Sequence, residues 1–414
     1  MSPRRSVPAT SVRHGLAAAA VATALVALVG CTGSSSSDDG TAAGNDASPA
    51  SSKKQAAPAT VDVNVPDGTK DQGVDTLVTA TAQGGRLGEV TVYRGDAPTE
   101  KSTVVGSVDQ AGTTWTARDM LDPGSTYTVK AVAMNADGKA TDVTRTFTTE
   151  DLSLDQQTFP SLQPLRGETV GVGMPIVIRF DVPVKNKAEF EKRLEVQSTP
   201  QVEGTWSWVS DTEVRYRPRE YWPAGTQVKV RARLNGVNAG DGVYGQENRY
   251  TAFTVGKKVV STVDVGGHTM TVRVDGKVAR KLPVTTGKDG LETREGTKII
   301  MEKFAVKRMD AATTGVSEDS PEYYDIPDVR YAMRVTNTGE FIHAAPWSAG
   351  SQGSANVSHG CVGLSTSNAA WLYGISHRGD VVKFIDSPRS LEDDNGWTDW
   401  NESYEAFKKG SALS

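Results

Sequence analysis

FIHAAPWSAGSQGSANVSHGCVGL, residues Phe341 to Leu364, decides how this 414-residue chain is read. It holds His343 and His359, two of the five histidines, and Cys361, one of two cysteines. Fourteen residues separate His343 from Ser358, and Ser358, His359, Gly360 and Cys361 follow without a break. Sulfur attacks as a thiolate, so a nucleophilic cysteine needs a nearby base or positive field. Imidazole, which titrates near neutrality, is the usual base. Glycine beside the thiol lets backbone approach closely and leaves amides around Gly360 and Cys361 to face a developing oxyanion. In an extended chain residues two apart share a face, so His359 and Cys361 can look into one cleft, with His343 reaching it from the start of the preceding strand or loop. On the residues alone, either histidine can serve as base.

Structural roles compete with this one. A free cysteine is often a buried, inert hydrophobe, and a zinc site from His343, His359 and Cys361 lacks a fourth ligand at finger-like spacing. The full pattern, however, resembles the signature of the L,D-transpeptidase (YkuD-type) catalytic domain, H-x(14–17)-[ST]-H-G-C-x-N. The order Phe341-Ile342-His343, Ala345-Pro346-Trp347 and Ser367-Asn368-Ala369 is similar to the actinobacterial, mycobacterial-type members. Gly363 departs from the pattern, standing where the family usually has Asn, and puts the rigidity of the loop in question. The resemblance implies Cys361 as nucleophile and His343 as base, with the Ala344 carbonyl orienting the imidazole. It further implies His359 as the second motif histidine, Ser358 as a loop support, Gly360 in the oxyanion hole, and Trp347, Tyr323, Tyr324 and Gly363 against substrate. No metal or organic cofactor is implied.

Around this stretch, residues 256–386 read as one mostly β domain. Met270, Val272 and Val274 alternate up to the Asp275-Gly276 turn, and Val278, Leu282 and Val284 continue beyond it, which predicts a hairpin. Further strands are expected at 298–306 and 331–335. Ser365 or Ser367 can cap a helix over 368–376, with Trp371, Leu372 and Ile375 facing the core, His377 near its C-terminus and Gly379 stopping it. His268, in a Gly-Gly-His turn, is expected in solvent. The polar stretch 307–330, with Gly315 and Pro321, reads as a lid or an ordinary surface loop. Residues 387–414 carry Trp397, Trp400, Tyr404 and Phe407, predicting an extension that docks its aromatics onto the catalytic domain.

Upstream, 61–150 and 151–255 both show short alternating strands between turn clusters such as Asp122-Pro123-Gly124. Tyr127, Val129, Ala131 and Ala133 alternate in the first; Ile176, Ile178 and Phe180, then Val228 and Val230, in the second. Each reads as an immunoglobulin-like sandwich without a disulfide. Trp206, Trp208 and Trp222 are core fillers or a wall-binding patch. The expected fold is therefore mainly β: two immunoglobulin-like β-sandwich domains followed by a YkuD-type β-sandwich catalytic domain with one or two helices.

The first 30 residues read as an export signal, with Arg4, Arg5 and Arg13 before an apolar run from Leu16 to Val29. That run is short for a membrane span. Leu28-Val29-Gly30-Cys31 looks like a lipobox, with lipid expected on Cys31 and the protein held at the outer face of the cytoplasmic membrane. Residues 31–60 are rich in Ser, Ala, Asp and Gly and read as lipid anchor and tether, reaching about 30 Å on average. With Cys31 lipidated, Cys361 is the only free thiol, which favours chemistry over a disulfide framework. A net charge of −5 argues against nucleic-acid partners.

By resemblance, the partners are peptidoglycan stem peptides: a tetrapeptide donor that releases D-alanine, and an acceptor amine on a diaminopimelate side chain, giving a 3-3 cross-link. Carbapenems are expected to acylate Cys361. Two other classes remain open on the residues: a non-catalytic wall scaffold, and an L,D-carboxypeptidase that resolves the same acyl-enzyme with water.

Overall fold

Alternation of small apolar residues in strands of about ten or fewer builds three β-sandwich bodies in succession. The computed structural model describes residues 55–414; the signal, Cys31 and most of the tether lie outside the described residues. In the first body, a sheet in the order 60–63, 79–83, 114–117, 106–108 faces one in the order 85–94, 126–135, 140–148. Tyr127, Val129, Ala131 and Ala133 all point inward, as their spacing predicts, and Tyr127 stacks on Phe147 at 5.6 Å. In the second body, the sheets run 169–170, 248–255, 227–233, 194–199 and 204–208, 213–218, 176–180, 160–163. Its tryptophans serve the core: Trp206 and Trp222 are buried, and half-buried Trp208 stacks on Phe180.

The third body pairs a five-stranded sheet, in the order 277–283, 269–274, 259–264, 381–385, 296–299, with a four-stranded one, in the order 302–310, 325–334, 341–344, 362–364. The predicted hairpin forms as Thr269–Val274 and Lys277–Pro283, but Val278 is exposed because its strand lies at the sheet edge. The stretch 298–306 is two strands rather than one: Gly296–Ile299 and Glu302–Asp310 belong to different sheets, and Ile300 and Met301 carry the chain across. The one long helix runs Thr366–Ile375, with the Ser365 hydroxyl accepting from Asn368 N. It ends at Ser376, where the backbone turns extended; neither His377 nor Gly379 terminates it.

Gly379 serves a different purpose, the seam with the second sandwich. Gly171 N donates to Arg378 O at 2.7 Å and Gly173 N to Gly379 O at 2.9 Å. Val381 and Ile299 join the second sandwich's core, while Val382 on the opposite face joins the catalytic one. The C-terminal extension binds both bodies, not the catalytic domain alone. Asn401 pairs with the Thr297 backbone, whereas Trp400 Nε1 donates to Gly173 O and Trp208 N to Gly410 O. Arg217, buried in the second sandwich, lies 4.8 Å from the ring centres of both Trp400 and Phe407. Aromatic residues seek the nearest buried cation as well as apolar surface.

Asp380 sits buried at this seam, accepting from His377 N through one carboxylate oxygen and leaving the other unpartnered. Burial pushes its carboxyl up to about 8 from 3.8. A carboxyl raised in the folded state contributes stability below its unfolded value and loses it as pH rises through the folded one. Asp380→Asn should therefore raise the melting temperature at pH 8 and flatten its pH dependence below that. The gain is on the order of a few kcal/mol at alkaline pH and vanishes near pH 4. Thermal melts of both proteins across that range check it.

Candidate active site

Parallel pairing of Phe341–Ala344 with Val362–Leu364 sets His343 opposite Gly363, two residues past Cys361. His343 and Cys361 consequently line one cavity of about 300 Å³, together with Thr285, Met309, Tyr324, Ile326, Trp347 and Ser358 among others. His343 is buried within its strand, and its Nδ1 lies 2.9 Å from Ala344 O. A carbonyl only accepts, so Nδ1 carries the proton and the neutral ring keeps its lone pair on Nε2. Burial holds the imidazole below its ordinary 6.5. Trp347 stacks on this ring at 5.8 Å and is 56% exposed at the cavity mouth.

Burial also pushes the Cys361 thiol up, to about 12. Its sulfur accepts from Phe341 N at 3.4 Å and donates toward Gly339 O at 3.7 Å; among the described residues it has no hydrogen bond to His343. Burial thus disfavours both charged forms, the thiolate and the imidazolium.

His359 faces the same cavity but is engaged elsewhere. Its Nε2 lies 2.7 Å from a Glu322 carboxylate oxygen, which also binds Lys288 at 2.7 Å, and its ring sits 5.0 Å from Tyr324. Glu322 belongs to the stretch 307–330, which is neither loose lid nor ordinary loop. Its flanks pair as the ribbon Glu302–Asp310 with Asp325–Arg334, and the tip opens with a 3-10 turn, Ala311–Thr314, before an irregular stretch to 324. Of the two tyrosines at the tip's end, Tyr324 lines the cavity and Tyr323 does not. Neighbouring residues in extended chain point to opposite sides.

Ser358 closes the turn that carries Cys361: its hydroxyl donates to Cys361 O at 2.7 Å and accepts from Gly360 N at 3.1 Å. The Gly360 amide is thus occupied and unavailable to an oxyanion, contrary to the expectation for it. The Cys361 amide has no partner among the described residues. Gly360 itself adopts φ +117°, a conformation that requires glycine. At Gly363, backbone bonds in both directions with Thr285 (2.8 and 3.1 Å) fix the chain, so the loop does not depend on an Asn there. A Cβ at Gly363 would come within 2.8 Å of the Thr285 methyl.

Several residues beneath the site have no sequence signature. Thr293 Oγ donates to Gly360 O at 2.7 Å, and Thr285 Oγ donates to Ala355 O at 2.8 Å. Asn356 accepts from Thr286 N and Thr286 Oγ. His268 is half-buried and bonded to this same Asn356, at 3.0 Å, rather than free in solvent. On the far side of Met309 and Tyr324 lies a second, polar depression lined by Lys307, Arg308, Asp310 and Arg334, which also reaches the sulfur's partners Gly339 and Phe341. Among the described residues no helix is long and apolar enough to cross a membrane.

Comparison with known proteins agrees with this geometry. Residues 258–384 match the L,D-transpeptidase catalytic domain and residues 69–238 a bacterial Ig domain. The chain is 36% identical to L,D-transpeptidase 2 of Mycobacterium tuberculosis over 350 residues, 84% of either protein. It is 36% identical to L,D-transpeptidase 5 of the same species over 319 residues, covering 75% of this chain and 68% of that one. A solved L,D-transpeptidase 3 from M. tuberculosis, in complex with a faropenem-derived adduct, is 30% identical and covers 56% of this chain and all of its own, with a TM-score of 0.46. A buried histidine and thiol on one cavity, in a mainly β chain with this extent of likeness, place the protein in the L,D-transpeptidase family as a peptidoglycan cross-linking enzyme with bacterial Ig-like sandwiches ahead of its YkuD catalytic domain.

Proposed function

We propose that the enzyme forms 3-3 cross-links through a thioester on Cys361. The Cys361 proton passes to Nε2 of His343 as sulfur attacks the carbonyl preceding the terminal D-alanine of a tetrapeptide stem. The new oxyanion meets the Cys361 amide, an interaction worth a few kcal/mol in such sites. When the intermediate collapses, the C–N bond breaks and His343 returns the proton to the leaving D-alanine amine. A diaminopimelate amine then attacks the thioester, gives its proton to His343, and the thiol is restored. The observation that carries this reading is the fixed tautomer: Nδ1 tied to Ala344 O leaves the lone pair of His343 on Nε2, in a residue that lines one cavity with Cys361. His359 has its Nε2 engaged by Glu322 instead.

Two depressions meeting at the sulfur's surroundings favour a second peptide over water as acceptor, and so transpeptidation over carboxypeptidation. A carbapenem, an acyl donor whose ring opening yields a stable thioester, should add to the same sulfur. Lipid on Cys31 would keep the enzyme at the membrane's outer face, working in the wall.

Mixing the protein with a disaccharide-tetrapeptide and reading products by mass spectrometry tests the assignment. Cross-linked dimer and free D-alanine are expected, and Cys361→Ala should give neither, nor any carbapenem adduct. Tripeptide without dimer would establish the carboxypeptidase instead. Dimer persisting in the alanine variant would remove Cys361 from the mechanism.

A further inference from the structure

The nucleophile's cradle rests on a buried ion pair that the reaction above does not use. Gly339 and Phe341, whose backbone oxygen and nitrogen touch the sulfur, flank Glu340. Glu340 points inward, 4% exposed, and one carboxylate oxygen accepts from Arg294 N at 3.0 Å and from the Arg294 guanidinium at 3.1 Å. The other accepts from the ammonium of Lys298, which is 1% exposed and lies 3.8 Å above the Phe384 ring. Glu340 also borders the nucleophile turn: a Cβ on Gly360 would stand 3.6 Å from its Cγ. These bonds fix the strand entrance on which the sulfur lies, but they set a carboxylate immediately behind a group that must become an anion.

We propose that Lys298 is a positioning residue for catalysis, balancing the Glu340 charge so that the carboxylate can anchor the sulfur's cradle without opposing thiolate formation. The inference rests on Cys361 being the nucleophile. The remaining charges near the pair are accounted for. Arg294 shares its guanidinium with exposed Glu392, and Arg334, which also favours the thiolate, is bound to exposed Glu302. Lys298 is therefore the one wholly buried cation facing Glu340. Directions agree: Glu340 opposes ionisation of the thiol and Lys298 favours it. Burial in turn brings the lysine itself down to about 8, against the pull of Glu340.

The test is the rate of iodoacetamide addition to Cys361 in the full-length protein between pH 6 and 7.5, where Lys298 still carries its charge, read on the Cys361 peptide by mass spectrometry. Well below the thiol midpoint this rate follows the thiolate fraction, so a midpoint raised by about one pH unit slows addition about tenfold. Lys298→Met should slow addition about tenfold or more, and lower kcat for the tetrapeptide with KM unchanged. The double variant Lys298→Met with Glu340→Gln, which removes both charges at nearly constant volume, should return the addition rate to within about threefold of the wild type. A merely structural pair predicts the reverse, since the double variant loses more of the charged hydrogen bonds. An unchanged rate in Lys298→Met, or a double variant as slow as the single, overturns the proposal. Should the single variant fail to fold, the double one carries the test alone: tenfold slowing there refutes it. Because alkylation needs no substrate, this result is independent of whether Cys361→Ala abolishes cross-linking.

Discussion

His343→Gln should lower kcat about a thousandfold while leaving KM for the tetrapeptide nearly unchanged, because a general base acts in the transition state and hardly touches the bound ground state. Glutamine keeps most of the volume and can still bond the Ala344 carbonyl, so the loss isolates the missing lone pair on Nε2. The pH profile carries a second expectation. Burial lowers the His343 pKa from 6.5, so the imidazole stays neutral and basic at pH values where a solvent-exposed histidine is already charged. The acid limb of kcat/KM should fall below pH 6.5 in the wild type. Stability has the matching sign: the unfolded chain binds a proton that the folded site refuses, so folding stability drops as pH falls through and below that value. His343→Gln should lose that contribution. An acid limb above pH 6.5, or a glutamine variant within tenfold of wild type, would show that another group takes the proton.

What the sequence discloses, and what it conceals, follows from where side-chain chemistry is local. Tyr127 to Ala133 and Ile176 to Phe180 declare their buried faces because a strand has period two and one face of each is solvent-free. The Ser365 cap and the histidine–cysteine constellation are equally local. The ribbon is not: of its strand residues within 307–330 only Met309 and Val329 are buried, so that stretch shows polar residues where a packed strand would show alternation. The run 298–306 conceals a sheet change because Ile300 and Met301 are buried on either side of it, keeping the stretch apolar. Lys298 and Glu340 look like surface charges in any reading by composition, and only the fold brings them together inside the catalytic domain. The Gly360 amide, read as free, is taken by a serine hydroxyl two residues away, a choice of rotamer that no spacing rule records.

Gly171→Val should be the most destabilising single change at the seam between the second sandwich and the catalytic domain. Even a Cβ at this position would stand 2.1 Å from Asp380 N and 2.3 Å from Gly379 C, both rigid backbone of the catalytic domain. Two further constraints keep the chains from sliding apart to make room. Gly171 N and Gly173 N bond Arg378 O and Gly379 O, and Val381, Ile299 and Trp397 are packed into the second sandwich's core. A cost of about 3 kcal/mol or more is expected, the upper range for overpacking, since the clash is with backbone rather than a movable side chain. Each body keeps a core of its own, so the damage should appear as a melt split into two transitions, or broadened toward them, instead of global collapse. None of the cavity-lining residues lies at this seam. Cross-linking activity per folded molecule should therefore survive at low temperature while the melting temperature falls. If activity falls in step with stability, the second sandwich does more than hold the catalytic domain at a distance: it supports the shape of the cleft, and the C-terminal strap that joins the two bodies becomes part of the catalytic architecture.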